Sequence, residues 1–283
     1  MITIMNNPTF SLNIFADLHS MLAYNFMSNA FLAGTIVAII AGAVGYFVVL
    51  RRSSFAAHGL SHAGFTGAAG AVLFGINPIA GLLVFTVGGA LLMGLLGNRT
   101  SNRDVEIGTV LAFMLGLGIL FISLYSGYAT EAYSLLFGEI LGISSTDVVV
   151  TLISGGVILV MLAALYRPLI FTSLDEDVAE AKGVNLRLIS IGFMILVGIA
   201  TSIAVQVVGV LLIFALMVTP AAIAQRFAKR PADGIIISVV IALLVTWISL
   251  FVSFYLSYPV SFFITSLVFI LYLISRFIKT SSL

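Results

Sequence analysis

Hydrophobic positions along this 283-residue chain run in long blocks, and polar positions are confined to the joints between them. A helix needs about 20 apolar residues to cross the roughly 30 Å hydrocarbon layer of a bilayer. Windows of that length predict nine spans, at 26–50, 54–75, 78–97, 107–128, 146–166, 188–204, 207–226, 234–256 and 259–277. No water is present in that layer to satisfy an open backbone. The predicted fold class is therefore all-α, a polytopic bundle of about 8–9 transmembrane helices. The sixth and seventh blocks are short and crowded, with Ser202 and Gln206 near their junction. They read either as two crossings or as a broken, re-entrant pair of the kind that lines a cavity. Upstream, Ile14, Phe15, Leu18, Met21 and Leu22 fall at helical spacing beside His19, which predicts an amphipathic helix lying on the membrane surface. Residues 1–25 then form an outer interfacial segment, and 26–283 a single membrane domain.

Composition agrees with the pattern. Hydrophobic residues make up 61% of the chain and charged residues 8%, with a mean hydropathy of +1.23, whereas soluble domains carry about 25% charged residues. Placement of charge says more than its amount. The basic residues are Arg51, Arg52, Arg99, Arg103, Arg167, Lys182, Arg187, Arg226, Lys229, Arg230, Arg276 and Lys279. With nine spans, all of them fall in the connections after spans 1, 3, 5 and 7 or in the C-terminal tail. The opposite side holds Asp17, Glu131, Glu139 and Asp147. Basic loops stay in the cytoplasm, so the N-terminus is predicted outside and the C-terminus inside.

Several activities are absent from the sequence. There is no GxxxxGK[ST] phosphate loop, no HExxH zinc-protease pattern and no cysteine for a thiolate site. The basic residues sit in separate loops rather than in one stripe, so no nucleic acid partner is expected. The chain reads as a transporter component in contact with membrane lipid, and not as an enzyme.

The candidate chemistry lies in residues 51–74, RRSSFAAHGLSHAGFTGAAGAVLF. His58 and His62 are four residues apart and so share one helix face, about 6 Å apart along the axis. If the helix enters the membrane after Arg52, His62 lies about 15 Å deep. Ionisable groups at that depth usually face a bundle interior or a wet pathway. Neutral imidazoles bind divalent transition metals without carrying charge into lipid. The plain alternative is two packed histidines bonded to carbonyls or hydroxyls of neighbouring helices. Thr66 continues the face one turn on, and Ala63, Gly64, Gly67, Ala68 and Ala71 allow close helix approach. Further candidates for lining or kinking a path are Gln206, Thr219 and Pro220, together with Glu139 in the outer 129–145 connection, where a short half-helix is expected.

The longest loop on the basic side, 167–187, holds Asp175, Glu176 and Asp177, then Val178, Ala179 and Ala181, then Gly183. Acidic residues suit a helix start and glycine a helix end. A short capped helix with a small apolar face is predicted there, shaped to dock on another protein.

Taken together these residues resemble the membrane permease of metal-type ATP-binding-cassette importers, the ABC-3 family. The second-span pattern of that family is matched by Arg52, Leu60, Ser61, His62, Ala63 and Gly67, and its outer LFG by Leu136, Phe137 and Gly138. The cytoplasmic D-x-x-x-A-x-x-x-G is matched by Asp175, Ala179 and Gly183. The run Gly209–Leu212, Ala215, Leu216, Val218–Ala222 and Ala224 matches a fourth motif, and the likeness covers about residues 26–278. It implies a bacterial plasma-membrane protein working with a second permease chain, most simply as a homodimer. Two cytoplasmic ATPase subunits would hydrolyse ATP and dock near 174–185, and an external metal-binding protein would deliver the ion. No permanent cofactor is implied, only a transported divalent metal touching His62 and position 58. The family has aspartate where this chain has His58. Two imidazoles suit zinc better than manganese, so zinc is the favoured cargo, with manganese, iron or a chelated metal as alternatives. A secondary transporter working without ATP is a further reading, although no carboxylate lies well inside a span.

Overall fold

A computed structural model describes residues 14–96, 103–125, 138, 140–256 and 258–278. After a short helix α1 (Ile14–Leu22) come α2 (Asn25–Leu50), α3 (Ser54–Leu73), α4 (Pro78–Leu96) and α5 (Arg103–Leu124). A 3₁₀ turn at Ile140–Gly142 leads into α6 (Ser145–Leu174), the short α7 (Glu176–Ala181), α8 (Leu186–Val208), α9 (Val210–Phe227), α10 (Pro231–Leu256) and α11 (Val260–Phe277). All nine predicted spans correspond to long helices. Eight are long and apolar enough to cross a membrane. The ninth, α3, has the length but carries the histidines and a run of glycines.

The lower apolarity of α3 follows from its position. It is flanked by α4, α5, α8 and α9, and 14 of its 20 residues are buried. By contrast α6 buries 6 of 30 and turns most of its surface outward. A helix hidden from lipid needs no greasy outer face, and small side chains let its neighbours come close. Contact is tightest against α4. A side-chain carbon on Gly67 would lie 2.1 Å from the Gly81 carbonyl oxygen, and one on Gly81 would lie 2.2 Å from that of Gly67. Two backbones touch there without intervening side chains. Thr86 and Ser202 then hydrogen-bond through their hydroxyls to tie α4 to α8.

The sixth and seventh blocks are two separate long helices rather than a short broken pair. The break between α8 and α9 is the single residue Gly209, at φ 85° and ψ 163°, which a residue with a Cβ rarely adopts. From this point the helices diverge: α8 packs on α4 and α6, and α9 on α2, α10 and α11. Gly138, from the connection between α5 and α6, rests against Val208 and Gly209. The fifth span also differs from expectation. It continues past Arg167 and Pro168 to Leu174, and in its last turns the Thr172 and Ser173 hydroxyls donate back to the Pro168 and Leu169 carbonyls. The membrane block ends where charge begins, but the helix does not.

Basic residues collect at one end of the bundle. Arg51 closes α2 beside Thr172 at the end of α6, and Arg226 Nε donates to the Ser275 carbonyl at 3.2 Å, joining the ends of α9 and α11. At the other end α1 leans on α2, with Met21 and Asp17 buried.

The glycine crossing makes a direct prediction. Gly67→Ala should lower stability in detergent by about 3 kcal/mol or more, because no flexible group can move aside. Gly88→Ala, which meets open space, should change it by no more than about 0.5 kcal/mol. Thermal unfolding of the purified variants reads both.

Candidate functional site

His58 and His62 are half-buried, the two positions between the first and last turns of α3 that its neighbours do not fully cover. Their ring centroids are 4.7 Å apart and their planes meet at 85°, as an i, i+4 pair on a helix face should allow. The His58 ring also meets Phe214 of α9 edge to face, at 4.8 Å. Its Nδ1 is buried and has no hydrogen-bond partner among the described residues. Packed histidines normally satisfy both nitrogens with carbonyls or hydroxyls, and this one does not. Among those residues no cluster of three or more His, Asp or Glu converges on one point. A single chain thus offers two imidazoles, and any remaining ligand positions fall to waters or another molecule.

The other candidates do not gather around this pair. Thr66 is fully buried, and its hydroxyl donates to the carbonyls of Met114 at 2.6 Å and His62 at 3.1 Å. It clasps α5 instead of extending a polar stripe. Gln206 sits at the end of the bundle away from the basic residues, where its Nε2 donates to Asp147 Oδ1 at 3.3 Å. Asp147 itself belongs to a capping box with Ser144 at the start of α6. Pro220 is buried inside α9. Thr219 lines a groove of about 360 Å³ with Val218, Ala222, Val268, Phe269 and Tyr272, between α9 and α11. At 100° per residue it points about 140° away from Phe214 and the histidines. Glu131, Leu136, Phe137 and Glu139 lie outside the described residues.

The short helix α7 is built as its sequence predicts. The Asp175 carboxylate accepts from the Val178 N–H at 3.0 Å and caps its start. Ala179 is fully buried. At its end the Gly183 N–H bonds to the Glu180 carbonyl and the Val184 N–H to that of Ala179, with Gly183 at φ 81°, closing a Schellman motif. Lys182 lies over the Phe171 ring at 5.4 Å, holding α7 onto α6. Glu176 and Asp177 form its exposed first turn.

Two residues, Phe214 at the site and Arg51 at the basic end of the bundle, escaped the sequence reading. Phe214 carries no signal, being one apolar residue in an apolar span. Arg51 did carry one, as half of an arginine pair, but charge placement alone cannot reveal that its side chain reaches Thr172.

Comparison with known proteins places these features in context. The family model for the ABC 3 transport family matches residues 23–279. The chain is 30% identical over 222 residues to the manganese transport system membrane protein MntC of Listeria monocytogenes, covering 78% of this chain and 79% of that one. It is 33% identical over 207 residues to the manganese import system permease protein ScaB of Streptococcus parasanguinis, covering 73% and 74%. Among solved structures it is similar to PsaBC from Streptococcus pneumoniae, determined in complex with Fab, with a TM-score of 0.83 and 29% identity over 94% of this chain and 96% of that one. An inward-facing metal-chelate type ABC transporter shares the fold, with a TM-score of 0.68 at 17% identity, covering 96% and 91%.

The placement of Thr66 can be checked. Thr66→Val keeps the shape but removes the hydroxyl bond that the Met114 carbonyl accepts beyond its own helical one. It should lower stability by about 1–2 kcal/mol while leaving the affinity of metal uptake unchanged, read as Tm and uptake KM on the same preparation.

Proposed function

The chain belongs to the ABC 3 transport family, the membrane-spanning permeases of metal-type ATP-binding-cassette importers, and on that premise we propose that it passes manganese across the bacterial plasma membrane along a path touching His58 and His62. ATP is hydrolysed on a separate subunit, so the permease itself is not an enzyme. What supports a contact role for the pair is the His58 Nδ1, buried and without a partner beside a second imidazole. A ring nitrogen left without a partner in the bundle is free to meet an incoming cation.

The sequence alone favours zinc, since imidazole is a borderline ligand and manganese prefers oxygen. The relatives named for manganese transport favour manganese instead. A path is not a storage site. A cargo metal keeps several waters and must leave again, so two imidazoles per chain need only slow it briefly.

In this reading the basic end of the bundle faces the cytoplasm, with the N-terminus outside and the C-terminus inside. Residues 1–25 cover the outer surface, and 26–283 act as one permease domain. A second copy of the chain completes the path. Two ATPase subunits dock near 174–185, against the exposed Asp175, Glu176, Asp177 and Gly183, and an external binding protein delivers the ion. Ala179, expected on the docking face, is buried and anchors the helix to the bundle instead. Gln206, Thr219, Pro220 and Glu139 remain candidates for the wider path, although none of the first three adjoins the imidazoles.

The test is ATP-driven uptake into proteoliposomes holding this chain with its ATPase, supplied with manganese or zinc on the external protein. Wild type should accumulate manganese in preference to zinc. His62→Ala and His58→Ala should each reduce uptake by about tenfold or more with the ATPase still bound. Zinc accumulation in preference to manganese would restore the zinc reading. Normal transport by both variants would make the histidines packing residues.

A further inference from the structure

We propose that Arg51 is a positioning residue that couples the short helix α7 to the histidine-bearing helix α3, so that movement imposed on α7 reaches the imidazoles. The inference rests on the reading that the ATPase subunits dock at α7. Arg51 Nη1 donates to Thr172 Oγ1 at 2.8 Å and to Ser173 Oγ at 3.4 Å. Both residues lie in the last turn of α6, two or three positions before the Asp175 cap of α7. The guanidinium carbon lies 5.5 Å from the ring centroid of Phe193, in the second turn of α8, which leaves α7 on its other side. Thr172 and Phe193 are 2% and 0% exposed. Thr172 in turn donates to the Pro168 carbonyl at 2.8 Å. One side chain from α2 thus grips both helices that frame α7, each through a buried partner.

The other half of the link is backbone. Arg51 is the C-cap of α2, and α3 begins three residues later at Ser54. The turn between them is closed by the Arg52 N–H to the Val49 carbonyl at 3.0 Å and the Ser53 N–H to that of Val48 at 2.8 Å. This is a Schellman motif whose left-handed position is filled by Arg52 at φ 52° instead of glycine. The Ala57 N–H already bonds to the Ser53 carbonyl at 3.0 Å, and His58 follows. A turn this short and fully bonded has little slack, so displacement at Arg51 passes into the first turn of α3.

The side chain is also chemically suited to the task. A planar guanidinium donates in its plane and stacks with its face, so it holds Thr172 and Phe193 together. A lysine keeps the charge and one donor but cannot do both at once.

Manganese uptake and ATP hydrolysis, measured together in proteoliposomes holding permease, ATPase and external binding protein, test this. Arg51→Met should cut uptake by about tenfold with hydrolysis changed less than about twofold, so that ATP consumed per ion rises by about tenfold. Thr172→Val, which leaves Arg51 in place, should shift the same ratio in the same direction by less, and Arg51→Lys should recover part of the loss. The double variant should be no worse than Arg51→Met alone, since both break one link. An unchanged ratio in Arg51→Met and Thr172→Val overturns the proposal. So does loss of the assembled complex in Arg51→Met while Thr172→Val couples like wild type, which marks a folding role. If wild type with bound ATPase shows no ATP-dependent uptake, the importer reading fails first and takes this inference with it.

Discussion

Everything in this bundle depends on the backbone contact between α3 and α4 at Gly67 and Gly81. A helix carrying two imidazoles and few large apolar residues has no stable place facing hydrocarbon, because lipid supplies neither hydrogen bonds nor charge. It must be enclosed, and in a membrane enclosure comes from close packing and interhelical hydrogen bonds, since lipid is as apolar as leucine. The pair of bare backbones provides the closest approach. Thr66 on the Met114 carbonyl adds a polar tie to α5, and the Thr86–Ser202 pair fixes α4 to α8. The histidines then occupy the half-buried positions that this cage leaves in the middle of α3, beside Phe214 of α9.

The same requirement sorts hydroxyls into structural and available ones. Most buried Ser and Thr in the spans return their proton to a carbonyl one turn back, as Thr246 does to Ala242 and Ser61 to Ala57. Such groups are spent within their own helix and offer little to a passing cation. The imidazole nitrogen of His58 has no such outlet. A polar atom left alone in this way costs free energy, and that cost is the observation on which the proposed contact role rests.

Much of this was legible in the sequence because membrane physics is simple to read in one dimension. Block length gave the helices from Asn25 to Phe277, and spacing put His58 and His62 on one face. The Asp175 and Gly183 positions announced a helix start and a helix end, and both are present, whereas Ala179, read as part of a docking face, is buried against the bundle. Side-chain direction was not legible. Thr66, eight residues from His58, is turned about 80° from it around the helix, enough to hand its hydroxyl to α5. Gln206 is polar within an apolar span, but only the fold shows Asp147 across from it. The preference for zinc over manganese finds no support among the relatives for a related reason. Ligand softness argues from a held ion, whereas a conducted one is selected by how easily it sheds and regains water, and that property is spread over a path that two residues do not describe.

The three-residue joint between α2 and α3 also has a consequence for how this protein can vary. Because Arg52 and Ser53 close the end of α2 while Ser53 opens α3, the joint sets the rotational phase of the helix that follows. One added or missing residue would turn α3 by about 100°, swinging both imidazoles out of their half-buried positions and pressing new side chains against the bare backbone of Gly81. Side-chain identity at the joint is negotiable within those limits, but its length is not. The joint is a key cut to one depth, and the position of the imidazoles is recorded as much in the number of residues before His58 as in the histidines themselves.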